Sequence, residues 1–185
     1  MLTLCLLLQL FGDPLSLRYQ REALPLPDWW RFLSANFIHL GWSHWLLNMC
    51  GLALVQALVG YRFSASIWCA VILVSCLGVS GGLFALNPKL SWYVGFSGAL
   101  HGMLAAGALA DTVSSAGRQK LFGMVILACV ASKLLWEQLV GSLPGSASAA
   151  GGPVVVDSHL YGAVAGILAA ATVLLFTVKK SHISR

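Results

Sequence analysis

The chain has 185 residues, 58% of them hydrophobic and only 9% charged, with a mean hydropathy of +0.83. A soluble domain carries about a quarter charged residues, so this composition excludes an ordinary soluble protein and fits one polytopic membrane domain. The net charge of +5 is spread without a Lys/Arg run, which excludes a nucleic-acid-binding patch.

Six apolar segments follow in chain order. The first, Leu2–Phe11, makes a helix of about 15 Å, half the hydrocarbon thickness. It has neither a positive leader nor a small-residue cleavage site. It therefore reads as a short helix, or one that starts upstream, and not as a cleaved signal. A long connection over 13–42 holds Pro14, Pro25 and Pro27, then "DWWRFLSANFIHLGW". Its Trp29, Trp30 and Trp42 suit a membrane interface, and His39 is expected to be packed or solvated there. Segments two to six are expected over 43–60, 64–86, 95–110, 120–140 and 158–178. The linker "GSLPGSASAAGGPVVVD" before the last predicts a mobile loop. The expectation is a single all-α membrane domain over 1–185, a bundle of six transmembrane helices. Residues 1–12 form the short first helix, 13–42 an interfacial outer loop, 43–178 helices two to six and 179–185 a cytoplasmic tail that includes His182.

Cys5, Cys50, Cys69, Cys76 and Cys129 lie singly in apolar runs with no CxxC pair. They suggest neither a disulfide framework nor a zinc ribbon and read as small buried thiols. With the N-terminus cytoplasmic, the inner side receives Arg62, Arg118, Lys120, Lys179, Lys180 and Arg185. The outer side receives Arg18, Arg21, Arg31 and Lys89. The inner excess favours this orientation.

Polar groups within apolar segments are costly and mark function or pairing. Segment two begins "SHWLLNMCG", with His44 and Asn48 four residues apart on one helical face. Segment four begins Gly95-Phe96-Ser97-Gly98, and Ser97 and His101 are again four apart. Segment six begins "DSHLYGAVAG", with His159 in its first turn. All three segments are entered from the outer side, so Ser97, His159, His44 and Asn48 fall at one depth. Small residues at spacings of four, Gly98 and Gly102 on one segment and Gly162 and Gly166 on the other, favour close packing of segments four and six. That packing brings Ser97 toward His159. A serine hydroxyl beside an imidazole is the minimum for nucleophilic catalysis. The amide of Asn48, a ring N–H of His44 and the backbone N–H of Ser97 are suitable donors for an oxyanion. Asp157 is expected in the loop before segment six, and no carboxylate is needed to complete the pair. Lys133 and Glu137, four apart in segment five, read as an ion pair that lowers the cost of burial, with a place at a lateral substrate gate as a second reading. Asp111 ends segment four at the inner surface.

With these residues in hand, the chain resembles the rhomboid family of intramembrane serine proteases from about Trp29 to Ile167. GxSGxxxG is matched by Gly95, Ser97, Gly98 and Gly102, HxxxN by His44 and Asn48, and HxxGxxxG by His159, Gly162 and Gly166. Trp30-Arg31 matches the pair of the first outer loop. The resemblance implies Ser97 as nucleophile, His159 as base and acid, and His44 and Asn48 as oxyanion support. It also implies a transmembrane protein substrate within the lipid bilayer, a loop capping the site, and no cofactor. The short core, "WWRFLSANFIHLGWSHWLLN" and "GFSGALHG" are most similar to rhombosortases. These process bacterial proteins with a C-terminal Gly-Gly, a transmembrane helix and a basic tail. The similarity implies the bacterial inner membrane, with the active site toward the periplasm. His101 stands where many rhomboids have a tyrosine that packs on the catalytic histidine, so it is expected, with Gly95 and Gly98, to support the site. Which bond is cleaved, and whether water or an amine resolves the acyl-enzyme, stay open at this level, as does the oligomeric state. Four other readings compete: a general rhomboid protease, an inactive rhomboid-like helix-binding protein, a small transporter, and a metal site of His44, His101 and His159. An inactive homologue usually lacks a catalytic residue, whereas this chain has both. No inverted repeat favours a transporter, and a metal site leaves Ser97 within GxSG unexplained.

Overall fold

A computed structural model describes residues 1–24 and 27–183, the last seven of these as backbone alone. Helix α1 spans Leu2–Phe11, and α2 spans Pro14–Leu17. Asp13 caps α2 by accepting from the N–H groups of Leu15 and Ser16 at 3.0 and 3.2 Å, with Pro14 in the first turn where no N–H is needed. Strand β1 (Tyr19–Gln20), a 3₁₀ turn (Arg21–Ala23) and α3 (Arg31–Ser34) follow. The connection expected as an interfacial loop is thus built of short elements.

It is also tied down by its own polar residues. Arg31 bonds Asp28 at 2.7 Å and donates to the carbonyls of Leu15 and Arg18 at 2.7 and 3.1 Å. The neighbouring Trp30 indole donates to Ser16 O. The fully buried Asn36 donates to Ser80 Oγ at 3.1 Å and to the carbonyl of Cys76 at 3.3 Å.

The long helices are α4 (Trp42–Val59), α5 (Ala65–Leu86), α6 (Ser97–Ser114), α7 (Gly117–Leu139) and α9 (Val156–Ile183). Strand β2 (Trp92–Tyr93) precedes α6 and pairs antiparallel with β1, Tyr19 opposite Tyr93. The short α8 (Ser146–Ala150) lies in the linker before α9. Four helical stretches, Trp42–Arg62, Ala65–Leu86, Gly117–Leu139 and Val156–Phe176, are long and apolar enough to cross a membrane, while α1 is a shorter apolar helix. The expected tail begins inside α9, whose helix continues to Ile183, and residues 184–185 and the side chain of His182 lie outside the described residues.

Helix α6 is the centre. It is buried along most of its length by small residues, among them Gly98, Ala99, Gly102, Ala105, Ala106, Gly107 and Ala108, and it packs against α4, α5, α7 and α9. A Cβ on Gly162 would collide with the backbone of Gly98, and one on Gly166 with the backbone of Gly102. Such contact leaves no room between α6 and α9 and gains dispersion energy that bulkier faces forgo.

Helix ends are closed by arginines. Arg21 Nη2 donates to the carbonyls of Leu83, Phe84 and Asn87 at 2.9, 2.6 and 3.0 Å, with its guanidinium over the Phe84 ring. Positive charge at the end of α5 also suits the helix dipole. At the opposite end of the bundle Arg62 donates to Ala110 O at 3.0 Å and pairs with Asp111 at 2.9 Å, while Tyr61 donates to Asp111 at 2.8 Å. Asp111, expected at a surface, is fully buried, with the Arg62 guanidinium opposing its charge and the Tyr61 hydroxyl donating to Oδ2. The cysteines divide: Cys5 and Cys76 are buried, but Cys50, Cys69 and Cys129 are exposed on the outsides of their helices.

Candidate functional site

The helices α4, α6 and α9 all start at one end of the bundle, and α7 ends there. Their termini surround a cavity of about 430 Å³, which α8 and strand β2 help to line. Ser97 opens α6 because Gly95 precedes it at φ +131, a conformation that L side chains rarely adopt. A Cβ on residue 95 would also come within 2.8 Å of His44 Cε1 and 3.0 Å of its Nε2. Tyr93 fixes this turn by donating its hydroxyl to Gly95 O at 2.7 Å, and the N–H of Gly95 donates to Ala35 O at 3.0 Å. The turn starts α6 two residues later than its apolar run suggests.

Ser97 Oγ lies 2.9 Å from His159 Nε2, across 62 positions of sequence. His159 is 5% exposed and Ser97 is half-buried. The other ring nitrogen of His159, Nδ1, lies 2.9 and 3.1 Å from the two carboxylate oxygens of Glu137. Lys133 Nζ stands 2.7 Å from Glu137 Oε2, 2.8 Å from His101 Nε2 and 2.9 Å from His159 Nδ1. The ring of His101 stacks on that of His159, with centroids 4.3 Å apart at 21°.

Hydrogen-bond chemistry assigns the protons. His101 Nδ1 is 2.7 Å from the carbonyl of Ser97, which only accepts, so Nδ1 is the donor. Its Nε2 then holds the lone pair and accepts from the Lys133 ammonium. Both nitrogens of His101 are engaged, and neither is 3 Å from the Ser97 hydroxyl by any bond present. For His159, Nδ1 cannot donate to Glu137 and accept from Lys133 at once. Glu137 approaches it with both oxygens, whereas Lys133 has two other acceptors. Nδ1 therefore carries the proton, and Nε2 presents a lone pair to the Ser97 hydroxyl.

His44 is assigned the same way. The backbone N–H of Leu40 donates to its Nδ1 at 3.3 Å, which leaves the proton on Nε2, at the edge that lies against Gly95. Asn48 is 4% exposed, and its Nδ2 has no partner among the described residues. Helix α6 begins at Ser97, so the N–H of Ser97 has no partner within its own helix. Three donors thus belong to residues that line the cavity holding the Ser97 hydroxyl, at a helix N-terminus whose dipole favours negative charge.

Sequence reasoning brought Ser97, His159, His44, Asn48, His101, Gly95 and Gly98 to one place, and the geometry brings the same residues together. Gly98 does so as contact surface: a Cβ there would lie 2.7 Å from Ser158 O. Lys133 and Glu137 form the expected bridge, but inside the cavity. Asp157 lies in the first turn of α9 and not in the loop, where its charge suits the helix dipole. It accepts from Asn87 Nδ2 at 2.5 Å and does not touch the histidine. The carboxylate on His159 is Glu137, which sequence reasoning missed. The available signal was depth, since segment five ends on the side where segments four and six begin. Tyr93 was missed too, and nothing in its two-residue strand announces it.

A hydroxyl on an imidazole that is itself held by a carboxylate, beside idle donors, is equipped for acyl transfer. No curated protein matches the chain at a significant level. The family model of the Rhomboid domain does match, over residues 26–176, and takes in every residue of this cavity wall named above. The chain is a member of the rhomboid family, multi-pass membrane proteins whose proteases act on transmembrane substrates within the bilayer.

Proposed function

We propose that this protein is an intramembrane serine endopeptidase that uses Ser97 as nucleophile and His159 as general base and acid. The observation that carries the reading is the 2.9 Å contact between Ser97 Oγ and His159 Nε2 in a cavity that also holds the idle donors of His44 and Asn48. In the first half-reaction the Oγ–carbon bond forms while the hydroxyl proton passes to Nε2. The carbonyl π electrons move onto its oxygen, which meets the Nε2–H of His44, the amide of Asn48 and the N–H of Ser97. The tetrahedral centre then collapses. The C–N bond breaks, the proton on Nε2 passes to the leaving amine, and an acyl-enzyme remains. A water repeats the sequence, giving its proton to Nε2 and releasing Ser97.

The wider reading is one membrane domain of six crossings, α1, α4, α5, α6, α7 and α9, with the cavity toward the periplasmic face of a bacterial inner membrane. Within the family we assign it to the rhombosortase type. Its substrates are then proteins that end in Gly-Gly, a transmembrane helix and a basic tail. The stretch "WWRFLSANFIHLGWSHWLLN" and the histidine in "GFSGALHG" support this assignment.

The test is labelling of the purified, detergent-solubilised protein by a fluorophosphonate, with mass spectrometry of the new C-terminus on Gly-Gly-bearing transmembrane substrates. Labelling and cleavage that vanish in Ser97→Ala and in His159→Ala are expected. Full cleavage by pure Ser97→Ala protein overturns the protease reading, and cleavage at unrelated bonds alone overturns the rhombosortase assignment.

A further inference from the structure

We propose that Glu137 is the positioning residue of a Ser97–His159–Glu137 triad, with Lys133 as its counter-ion; this rests on the protease reading above. The side chains involved come from three helices. Ser97 opens α6, His159 lies in the first turn of α9, and Glu137 lies in the last turn of α7. Glu137 is 3% exposed. A carboxylate there, with nothing bound to it, would be very costly, so its placement needs partners. It has two, the Lys133 ammonium at 2.7 Å and His159 Nδ1 at 2.9 and 3.1 Å.

The arrangement does more than satisfy charge. Serine activation needs one tautomer of His159, with the proton on Nδ1 and the lone pair on Nε2. Of the two charged groups within hydrogen-bond reach of Nδ1, only the carboxylate selects that tautomer. Lys133, at 2.9 Å from the same nitrogen, has only protons to give and would select the opposite one. In that state Nε2 would carry the proton and donate to Ser97 Oγ, and the base would be lost. Glu137 resolves the conflict by drawing one ammonium proton to its own Oε2, and His101 Nε2 draws another. The imidazolium formed during attack then keeps its Nδ1 proton and rests against a full negative charge. No proton moves to Glu137.

The remaining groups around His159 are consistent with this division. His101 stacks on the ring face and restricts its rotation. His44 lines the same cavity from α4, with its Nδ1 taken by the N–H of Leu40. Asp157 is engaged with Asn87 and is not a rival orienter.

Glu137→Gln keeps the shape but offers an amide that can donate to Nδ1, so it stabilises the wrong tautomer. In Ser-His-Asp enzymes the equivalent change lowers kcat by about 10⁴. Here saturable fluorophosphonate labelling is expected to lose about 10²–10⁴-fold in kinact, with KI unchanged within about threefold. A merely structural role would instead lower the folded fraction or disturb kinact and KI together. The second measurement is ¹⁵N NMR of histidine-labelled wild-type protein, with His159 assigned through His159→Gln. It is expected to show the proton on Nδ1, and it decides the matter even where Glu137→Gln does not fold. Wild-type kinact in folded Glu137→Gln protein, or a wild-type His159 protonated on Nε2 alone, overturns the triad. Unlabelled Ser97→Ala beside a fully active Glu137→Gln sinks only this inference, whereas labelling that persists in Ser97→Ala sinks the protease reading itself.

Discussion

A buried amide with an idle donor is costly unless something arrives to meet it. Asn48 Nδ2 is such a donor, which makes it a sensitive place to perturb. Asn48→Ala is expected to lower the turnover of a cleaved substrate by about 10²–10³, the usual effect of removing one oxyanion donor. The folded protein should melt no lower, because no internal bond of Nδ2 is lost. Turnover unchanged from wild type would remove Asn48 from the oxyanion site. His39 behaves differently. It is 4% exposed, neither ring nitrogen has a partner among the described residues, and its ring meets that of His44 edge-on. Burial, and then the neighbouring His44, push its pKa down to about 3. An unfolded histidine titrates near 6.5, so between these values the unfolded chain takes a proton that the folded one refuses. His39 therefore leaves stability intact above pH 6.5 and erodes it as the pH falls toward 3, by up to about 1.4 kcal/mol per pH unit. Melting in detergent at pH 7.5, 5.5 and 4.5 should show a shallower acid slope for His39→Phe than for wild type. Equal slopes would mean that His39 is hydrated and titrates normally.

At the scale of elements, the pairing of α6 with α9 was legible because glycines every fourth residue state a contact directly. Helix α7 was less so. Lys133 and Glu137 are as readable as a bridge on an isolated helix as they are as part of a site, and only the rotation of α7 against α6 turns them inward. The short strands β1 and β2 carry no periodicity at two residues each. They arise from tertiary placement, which the local sequence does not encode. The glycine contact supports a sharper expectation. Gly162→Ala puts a Cβ into the carbonyl of Gly98, and neither backbone has a side chain that can move away. The helices must part, and His159, one turn before Gly162, moves with α9. Overpacking of this kind costs about 1–3 kcal/mol, and a displacement of about 1 Å at a reacting pair can cost about 10²-fold in rate. Gly162→Ala should therefore lower both the melting temperature and the labelling of Ser97. Gly81→Ala, whose added Cβ meets nothing within 4 Å, should lower neither. Normal labelling by Gly162→Ala would show that α9 holds His159 independently of α6.

Over the whole molecule, the cavity end of the bundle carries Arg18, Arg21, Arg31 and Lys89, and the opposite end carries Arg62, Arg118 and Lys120. Counting charges alone gives little preference between the two ends, and the orientation read from sequence leans on Lys179, Lys180 and Arg185 toward the C-terminus. The folded chain adds a distinction. At the cavity end Arg21 is spent on the end of α5 and Arg31 on Asp28 and two carbonyls, and Arg18 lies over the Trp92 ring. These charges are held by structure once the chain is folded. At the other end Arg118 and Lys120 are exposed in the first turn of α7, beside the short turn that joins it to α6, and positive charge flanking such a turn retains it in the cytoplasm. The orientation we propose puts that turn inside and the cavity outside. Single cysteines at Glu22 and Ala116, both exposed positions, separate the alternatives without altering any positive charge. In intact cells a membrane-impermeant maleimide should label Glu22→Cys above the background of the parent protein, and Ala116→Cys only after the membrane is broken. The reverse pattern would turn the cavity toward the cytoplasm. A serine protease would remain, but its substrates would have to present their cleavage site on the inner side, where a C-terminal Gly-Gly ahead of a transmembrane helix and basic tail does not lie.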